Sequence, residues 1–326
     1  MRPVPATLVA CGCPLATLRT TVPTFVITLD FDPLLHVGDT SVQIATLVLA
    51  AVIAEAILLA ARIAASTPAV GGGPRSFVRG SSLRLDDLLF IVLGVVPGAV
   101  IGGRLDHVLS HLAFYAANPD AILDPARGSL GLGLAVIGGV LTGSVVVRLL
   151  EASLGRWAHV AALPTLFTIA GGKLVQLFGG AGQGAASDAP WATSYVGPGP
   201  WGSLAPGLAS HPSQLYEGGL TLILLVVVGG LVAGGAFGRR DGKALALAVG
   251  LWAAARAVAA ATWRDEPVLA VLNAGQLIAI AIAVGCGVIL LVRHPARDDE
   301  ARPTRRTDEG ASSGVAWPDP AERPRF

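Results

Sequence analysis

Long apolar runs alternate along this chain with short breaks rich in charge, glycine or proline. Seven runs can be drawn, at residues 42–65, 88–109, 130–150, 157–178, 218–237, 244–263 and 268–292. Each has the roughly 20 apolar residues that a helix needs to cross about 30 Å of hydrocarbon. The pattern predicts an all-α integral membrane protein with seven transmembrane helices in residues 26–292. The second run is the least regular, because Pro97 and the pair Gly102-Gly103 stand just before Arg104. A bent or unwound helix is expected there, and an arginine at such a break is expected where the helix lines a cavity. No internal repeat is visible, which weakens the case for a transporter built from paired half-repeats.

Composition agrees with this class. The chain is 53% hydrophobic and 14% charged, with a mean hydropathy of +0.65, too apolar for an ordinary soluble domain of this length. A net charge of +1 points to no nucleic-acid partner. Cys11 and Cys13, with one further cysteine, make neither a disulfide framework nor a zinc site. The string Leu8-Val9-Ala10-Cys11 has the look of a lipobox, but the apolar stretch before it is too short for a signal peptide. Residues 1–25 read as a disordered leader. Residues 293–326, mixed in charge and rich in proline, read as a disordered cytoplasmic tail that anchors electrostatically to the inner leaflet.

The basic residues set the expected orientation. Arg62, Arg75, Arg79, Arg84, Arg148, Arg156, Arg239, Arg240, Lys243 and the arginines from Arg293 onward gather on one side. They outnumber Arg2, Arg19, Arg104, Arg127 and Arg264 on the other, which places the N-terminus outside and the C-terminus in the cytoplasm.

One polar run stands directly against an apolar one: His211-Pro212-Ser213-Gln214-Leu215-Tyr216-Glu217. It is either a site at the membrane boundary or a helix opening at Pro212 and Ser213. Under the expected topology Arg104, Lys173, Gln176, Arg256 and Arg264 fall in the same outer half. A cation inside a spanning segment costs roughly 2.5–3.5 kcal/mol on insertion scales, so Lys173 and Arg256 should face a partner. Cations brought together there suit the phosphate of an anionic lipid, whose departing charge they would stabilise. The alternative is structural pairing with Glu217, Asp188 or Asp106. Glu55, nearer the inner end of the first run, reads as a buried acid with a polar neighbour or as a functional group. The connection 179–210 carries Trp191, Tyr195 and Trp201, which suit an interfacial belt and a lid or flap.

These residues carry a resemblance. Ile101-Gly102-Gly103-Arg104-Leu105, Ala135-Val136-Ile137-Gly138-Gly139-Val140, Gly172-Lys173-Leu174, Gly179-Gly180-Ala181-Gly182, Pro190-Trp191 and the run from His211 occur in the order seen in prolipoprotein diacylglyceryl transferases. Arg256, Arg264, Glu266 and Pro267, then Leu272-Asn273-Ala274-Gly275-Gln276, also look like that family. The similarity covers residues 25–292. It implies a seven-helix enzyme of the bacterial plasma membrane, using no cofactor or metal. Its substrates would be phosphatidylglycerol and the lipobox cysteine thiol of a prolipoprotein signal peptide, with glycerol phosphate released. Lys173 and Arg256 occupy the places of two headgroup-binding arginines, and Gln176 that of an asparagine.

The family's His-Gly-Gly reads Ile137-Gly138-Gly139 here, two expected carboxylates are Ala181 and Ala260, and the tyrosine of the first segment has no counterpart near residues 40–42. Thiol alkylation needs a thiolate, so His211, with an ordinary pKa of about 6.5, is either a substitute base or an architectural histidine. The resemblance thus implies catalytic roles for His211, Arg256 and Lys173, and substrate binding by Arg104, Gln176, Gln214, Tyr216, Glu217 and Arg264. Two function classes follow: a divergent transferase, or a member of the same fold that binds anionic lipid or lipoprotein signal segments without transfer.

Overall fold

The computed structural model describes residues 26–68, 82–124 and 129–292. The expected leader and tail lie outside the described residues, as do Arg2, Arg19, Arg75, Arg79, Arg127 and the arginines from Arg293 onward. The chain divides into two units, Met1–Leu290 and Leu291–Phe326, and the fold below is that of the first.

The helices are α1 (Ile44–Ala65), α2 (Leu85–Ser110), the short α3 (Leu112–Ala117), α4 (Leu132–Leu149), α5 (Leu154–Gly179), α6 (Ser213–Ala233), α7 (Lys243–Ala259) and α8 (Ala274–Val292). Among the described residues seven of the helical segments are long and apolar enough to cross a membrane. The protein is a multi-pass membrane protein. The fifth helix starts a turn earlier than the apolar run, so Gln214, Tyr216 and Glu217 lie within it rather than ahead of it. It ends at Gly234 and Gly235, the latter at φ 81°. Conversely, the last helix starts later, and residues 267–273 form a small hairpin instead.

Short strands were not foreseen. β1 (Ile27–Leu29) runs parallel to β4 (Thr193–Tyr195), with Ile27 opposite Thr193 and Leu29 opposite Tyr195. β2 (Leu34–Val37) and β3 (Thr40–Gln43) form a hairpin before α1, and β5 (Pro267–Leu269) pairs with β6 (Leu272–Asn273) before α8. All three pairings lie outside the spanning helices. Within hydrocarbon only helices and closed barrels satisfy their own backbone.

The unwinding expected as one outcome in the second helix does not occur. α2 runs unbroken through Pro97 and Gly102-Gly103, and its glycines serve close approach to α4. A Cβ on Gly98 would run into the Gly138 carbonyl and the Thr142 side chain, and one on Gly102 into the Leu134 carbonyl. Small residues let two helix backbones touch, which is the main source of helix association where lipid is as apolar as leucine. An unwound turn would have exposed backbone groups to hydrocarbon, a cost of several kcal/mol each.

Three helix ends have identifiable caps. Asp106 of α2 accepts a hydrogen bond from the Leu134 backbone N–H (3.3 Å), so a carboxylate from a neighbouring helix caps the first turn of α4. α5 ends at Gly180, φ 73°, a left-handed cap that glycine adopts without strain. α8 opens with a reciprocal pair: the Gln276 N–H donates to Asn273 Oδ1 (2.8 Å) and the Asn273 N–H to Gln276 Oε1 (3.0 Å).

The main core lies among α5, α6, α7 and α8, where Leu166, Val228, Ala248, Trp252, Ala253 and Ile282 are buried. Ile137 packs against this apolar cluster. Glu55 corrects its expected burial: it is exposed on α1, whose buried positions are Ala56, Ala60 and Ala64, and it has no partner among the described residues.

Gly138→Val is expected to destabilise the protein by about 3 kcal/mol by forcing α2 from α4. Gly219→Ala, inside α6 where a Cβ meets nothing within 4 Å, is expected to be neutral or to stabilise the protein by up to about 1 kcal/mol. Unfolding in detergent micelles measures both.

Candidate functional site

The C-terminal end of α5, the first turns of α6 and the last turn of α7 converge at one end of the bundle. Glu217 lies between two cations there. Arg256 Nη1 donates to Glu217 Oε1 at 2.7 Å, and Lys173 Nζ lies 2.9 Å from Oε2, off good hydrogen-bond alignment. Glu217 is 1% exposed and Arg256 5%. Of the acids weighed as structural partners, Glu217 is the one in direct contact with Lys173 and Arg256. One carboxylate against two cations leaves the cluster a net positive charge.

Aromatic faces complete its walls. Arg256 lies 4.6 Å from the Trp263 ring centroid and 5.8 Å from that of Trp252, and Lys173 lies 5.8 Å from Trp263. Such contacts stabilise a cation that water no longer reaches. Gly275 makes room for Trp263, since a Cβ there would strike the indole.

Three buried polar atoms around this cluster, Gln176 Oε1, Gln214 Oε1 and Arg256 Nε, have no hydrogen-bond partner, and Glu217 Oε2 has only its ion pair with Lys173. Gln176 and Gln214 both stand against Gly182, whose φ of 77° brings the backbone close to them. The other end of the Gln214 amide donates to Tyr195 Oη at 3.1 Å. Buried polar groups are rarely left unpaired, and this concentration marks where a polar ligand would find both donors and acceptors.

The heptapeptide divides between two faces. Gln214 and Glu217, three residues apart, point into the bundle, whereas Tyr216 turns to the α5–α6 connection. Its hydroxyl accepts from Trp191 Nε1 (2.6 Å) and lies 3.3 Å from His211 Nδ1. The His211 backbone is held as well, its N–H donating to Ala185 O (2.9 Å) and its carbonyl accepting from the Gly184 N–H (2.8 Å). Ser213 Oγ pairs with Thr262 Oγ1 (2.6 Å), tying the start of α6 to the end of α7. No described hydrogen bond joins His211 to the Glu217 cluster.

Two other expected site arginines are committed elsewhere. Arg264 donates to Gly184 O (2.5 Å), Ser210 Oγ (3.0 Å) and Gln183 Oε1 (3.3 Å), clasping the α5–α6 connection. Arg104 donates to the carbonyls of Ile122 (2.6 Å), Ala121 (2.5 Å) and Asp124 (3.0 Å), ordering the chain after α3. The interfacial belt is also smaller than expected. Trp191 is 53% exposed, but Tyr195 is only 2% exposed and packs on Trp201, ring centroids 4.8 Å apart. Burial pushes the Tyr195 phenol up to about 12, against the opposing pull of its Gln214 hydrogen bond. Among the described residues no group of His, Cys, Asp and Glu has the arrangement of a metal site.

Sequence reasoning missed Trp263 and Tyr195 as parts of this site and did not see Asn273 and Gln276 as its brace. Asn273 Nδ2 donates to Ala260 O (2.8 Å) and Gln276 Nε2 to Ala257 O (3.2 Å), steadying the end of α7 one turn beyond Arg256. The spacing Asn-x-x-Gln before an apolar run was a readable capping signal. Nothing local to Trp263 or Tyr195 distinguished them from interfacial aromatics.

The model of a family described as prolipoprotein diacylglyceryl transferase matches residues 33–293. The phosphatidylglycerol-prolipoprotein diacylglyceryl transferase of Ruegeria pomeroyi is 38% identical over 154 residues, 44% of this chain and 48% of that protein. Its namesake in Geobacter sulfurreducens is 28% identical over 156 residues, 46% of this chain and 57% of the relative. In Solidesulfovibrio magneticus the identity is 32% over 207 residues, 60% of this chain and 70% of the relative. The chain thus spans about half the length of the first two relatives.

Glu217→Gln should leave two buried cations uncompensated and destabilise the protein by about 3–5 kcal/mol, read as a lowered unfolding midpoint. A phenol whose folded pKa is raised stabilises the fold below its unfolded value near 10 and loses that contribution as pH rises toward 12. Tyr195→Phe is therefore expected to flatten the fall of stability between about pH 10 and 12, as measured by thermal unfolding of both proteins across that range.

Proposed function

The chain belongs to the prolipoprotein diacylglyceryl transferase family, and we propose that it moves the diacylglyceryl group of phosphatidylglycerol to the lipobox cysteine of a prolipoprotein signal peptide. The observation that carries this reading is the Lys173–Glu217–Arg256 cluster, cationic overall and ringed by unpaired buried amide and guanidinium atoms. An anionic headgroup supplies the acceptor oxygens that such a site lacks.

In the proposed reaction the cysteine sulfur attacks the glycerol carbon that bears the phosphate ester. A C–S bond forms, the C–O bond breaks, and glycerol phosphate leaves with the electron pair. Lys173 and Arg256 hold the phosphate and stabilise the charge it gains as it departs. Glu217 keeps both cations aimed before the lipid arrives. Gln176 and Gln214 bind the glycerol hydroxyls through their free amide oxygens.

The thiol proton goes to a base. Ile137, packed against the apolar core, has no group to accept it. We assign the proton to His211, whose Nδ1 lies 3.3 Å from the Tyr216 hydroxyl and whose imidazole can take up a proton at a ring nitrogen. Tyr216 lines the thiol's approach from the connection. Arg104 and Arg264 act at one remove, by holding the connections that frame the site.

The proposed orientation puts this end on the outer face of a bacterial plasma membrane. Arg62, Arg84, Arg148, Arg156, Arg239, Arg240 and Lys243 lie toward the opposite end, as a cytoplasmic face requires.

Purified protein in phosphatidylglycerol-containing micelles is expected to add a diacylglyceryl mass to a lipobox peptide. Arg256→Ala should slow that transfer at least about 100-fold. His211→Gln, which cannot take up the thiol proton, should slow transfer at least about 100-fold while leaving phosphatidylglycerol binding in place. A folded wild-type sample that binds phosphatidylglycerol yet yields no modified peptide would exclude transfer and leave lipid binding alone.

A further inference from the structure

Fourteen residues before Lys173 on α5, roughly 21 Å along the helix axis, His159 faces a second polar site at the opposite end of the bundle. The ends of α1, α5 and α6, with the connection after α6, enclose a cavity of about 300 Å³. Leu163, Val232 and Phe237 form its apolar wall, and Thr67, His159 and Arg240 its polar lining. His159 is 8% exposed, and its Nδ1 is buried without a hydrogen-bond partner. The Arg240 guanidinium makes no hydrogen bond or ion pair among the described residues. The Thr67 hydroxyl donates to Ile63 O at 2.7 Å, so its proton is already used. Asp241, the neighbouring carboxylate, lies 3.6 Å from Lys243 Nζ and accepts from the Lys243 backbone N–H at 3.1 Å.

This combination selects a ligand chemistry. A guanidinium repels a cation, and an acyl chain alone would leave both the imidazole and the guanidinium unpaired. An anion with several acceptor oxygens answers both, and a forked donor matches phosphate in shape. The apolar wall then suits the hydrocarbon attached to a lipid phosphate. We propose that this cavity binds a phosphate group, held by Arg240 and by His159 donating from Nδ1, in the leaflet opposite the Lys173–Glu217–Arg256 cluster. The phosphate belongs either to an anionic phospholipid or to free phosphate. None of the residues assigned to diacylglyceryl transfer takes part, so this site stands or falls separately from that activity.

Full-length protein labelled with ¹⁵N-histidine in a phosphate-free detergent tests the proposal, with the His159 ring signals identified by their loss in His159→Gln. Titration with dihexanoyl phosphatidylglycerol is expected to shift those signals saturably. Arg240→Gln should weaken binding about tenfold or more, whereas Lys173→Ala and Arg256→Ala should leave it unchanged. An equal response to inorganic phosphate would identify free phosphate as sufficient, and a response to the lipid alone would identify the headgroup; either supports the site. An equal shift with uncharged dihexanoylglycerol, retention of full affinity in Arg240→Gln, or no shift with either phosphate ligand in protein with an unaltered unfolding midpoint would overturn it.

Discussion

A single buried carboxylate holding two cations inside hydrocarbon governs the end of the bundle where the proposed chemistry lies. An unpaired ammonium or guanidinium in a spanning segment costs several kcal/mol, and Glu217 offsets that cost for both Lys173 and Arg256 at 2.9 and 2.7 Å. Because the three groups sit on α5, α6 and α7, their contact fixes how those helices are rotated about their axes. Trp263 can then lie near both cations, and the Asn273–Gln276 pair can brace the end of α7. The positive charge left over is the basis of the proposed binding of an anionic headgroup at this cluster.

The same scarcity of water shapes the rest of the bundle. Backbone groups must find partners within the protein, so Pro97 and Pro164 sit inside unbroken helices, and glycines are used for contact between α2 and α4. Irregular backbone is confined to the ends, where charged side chains hold it. Arg264 fastens the α5–α6 connection and Arg104 the residues after α3, each through main-chain carbonyls. The cluster is therefore framed by two cations that hold backbone carbonyls, and the cations beside its unpaired amide oxygens are those that share Glu217. At the other end Arg240 and His159 differ from Arg104 and Arg264 in having no such partner.

Much of this was legible before the structure. Seven apolar runs became seven spanning helices, with the largest displacements at the fifth and seventh, where polar residues obscured the true start. Gln214 and Glu217 were visible as site candidates in the heptapeptide, and Lys173 and Arg256 as cations needing partners. Other readings failed for identifiable reasons. The Gly102-Gly103 pair signals flexibility in water, but in a membrane it signals close packing. Tyr195 has the composition of an interfacial aromatic, yet in β4, paired with β1, it is buried and packs on Trp201.

The sequence by itself determined that the chain crosses a membrane, how many times, and which polar side chains would have to be explained there. Transfer into hydrocarbon is a property of windows of about 20 residues, and composition within each window suffices to read it. Only the tertiary structure decided which charges meet. Glu217 and Arg256 are separated by 39 positions, and whether they touch depends on helix rotation and close packing, which no local window encodes. That is also why Arg104 and Arg264, equal to Arg256 as cations in the sequence, donate to main-chain carbonyls while Arg256 meets the Glu217 carboxylate.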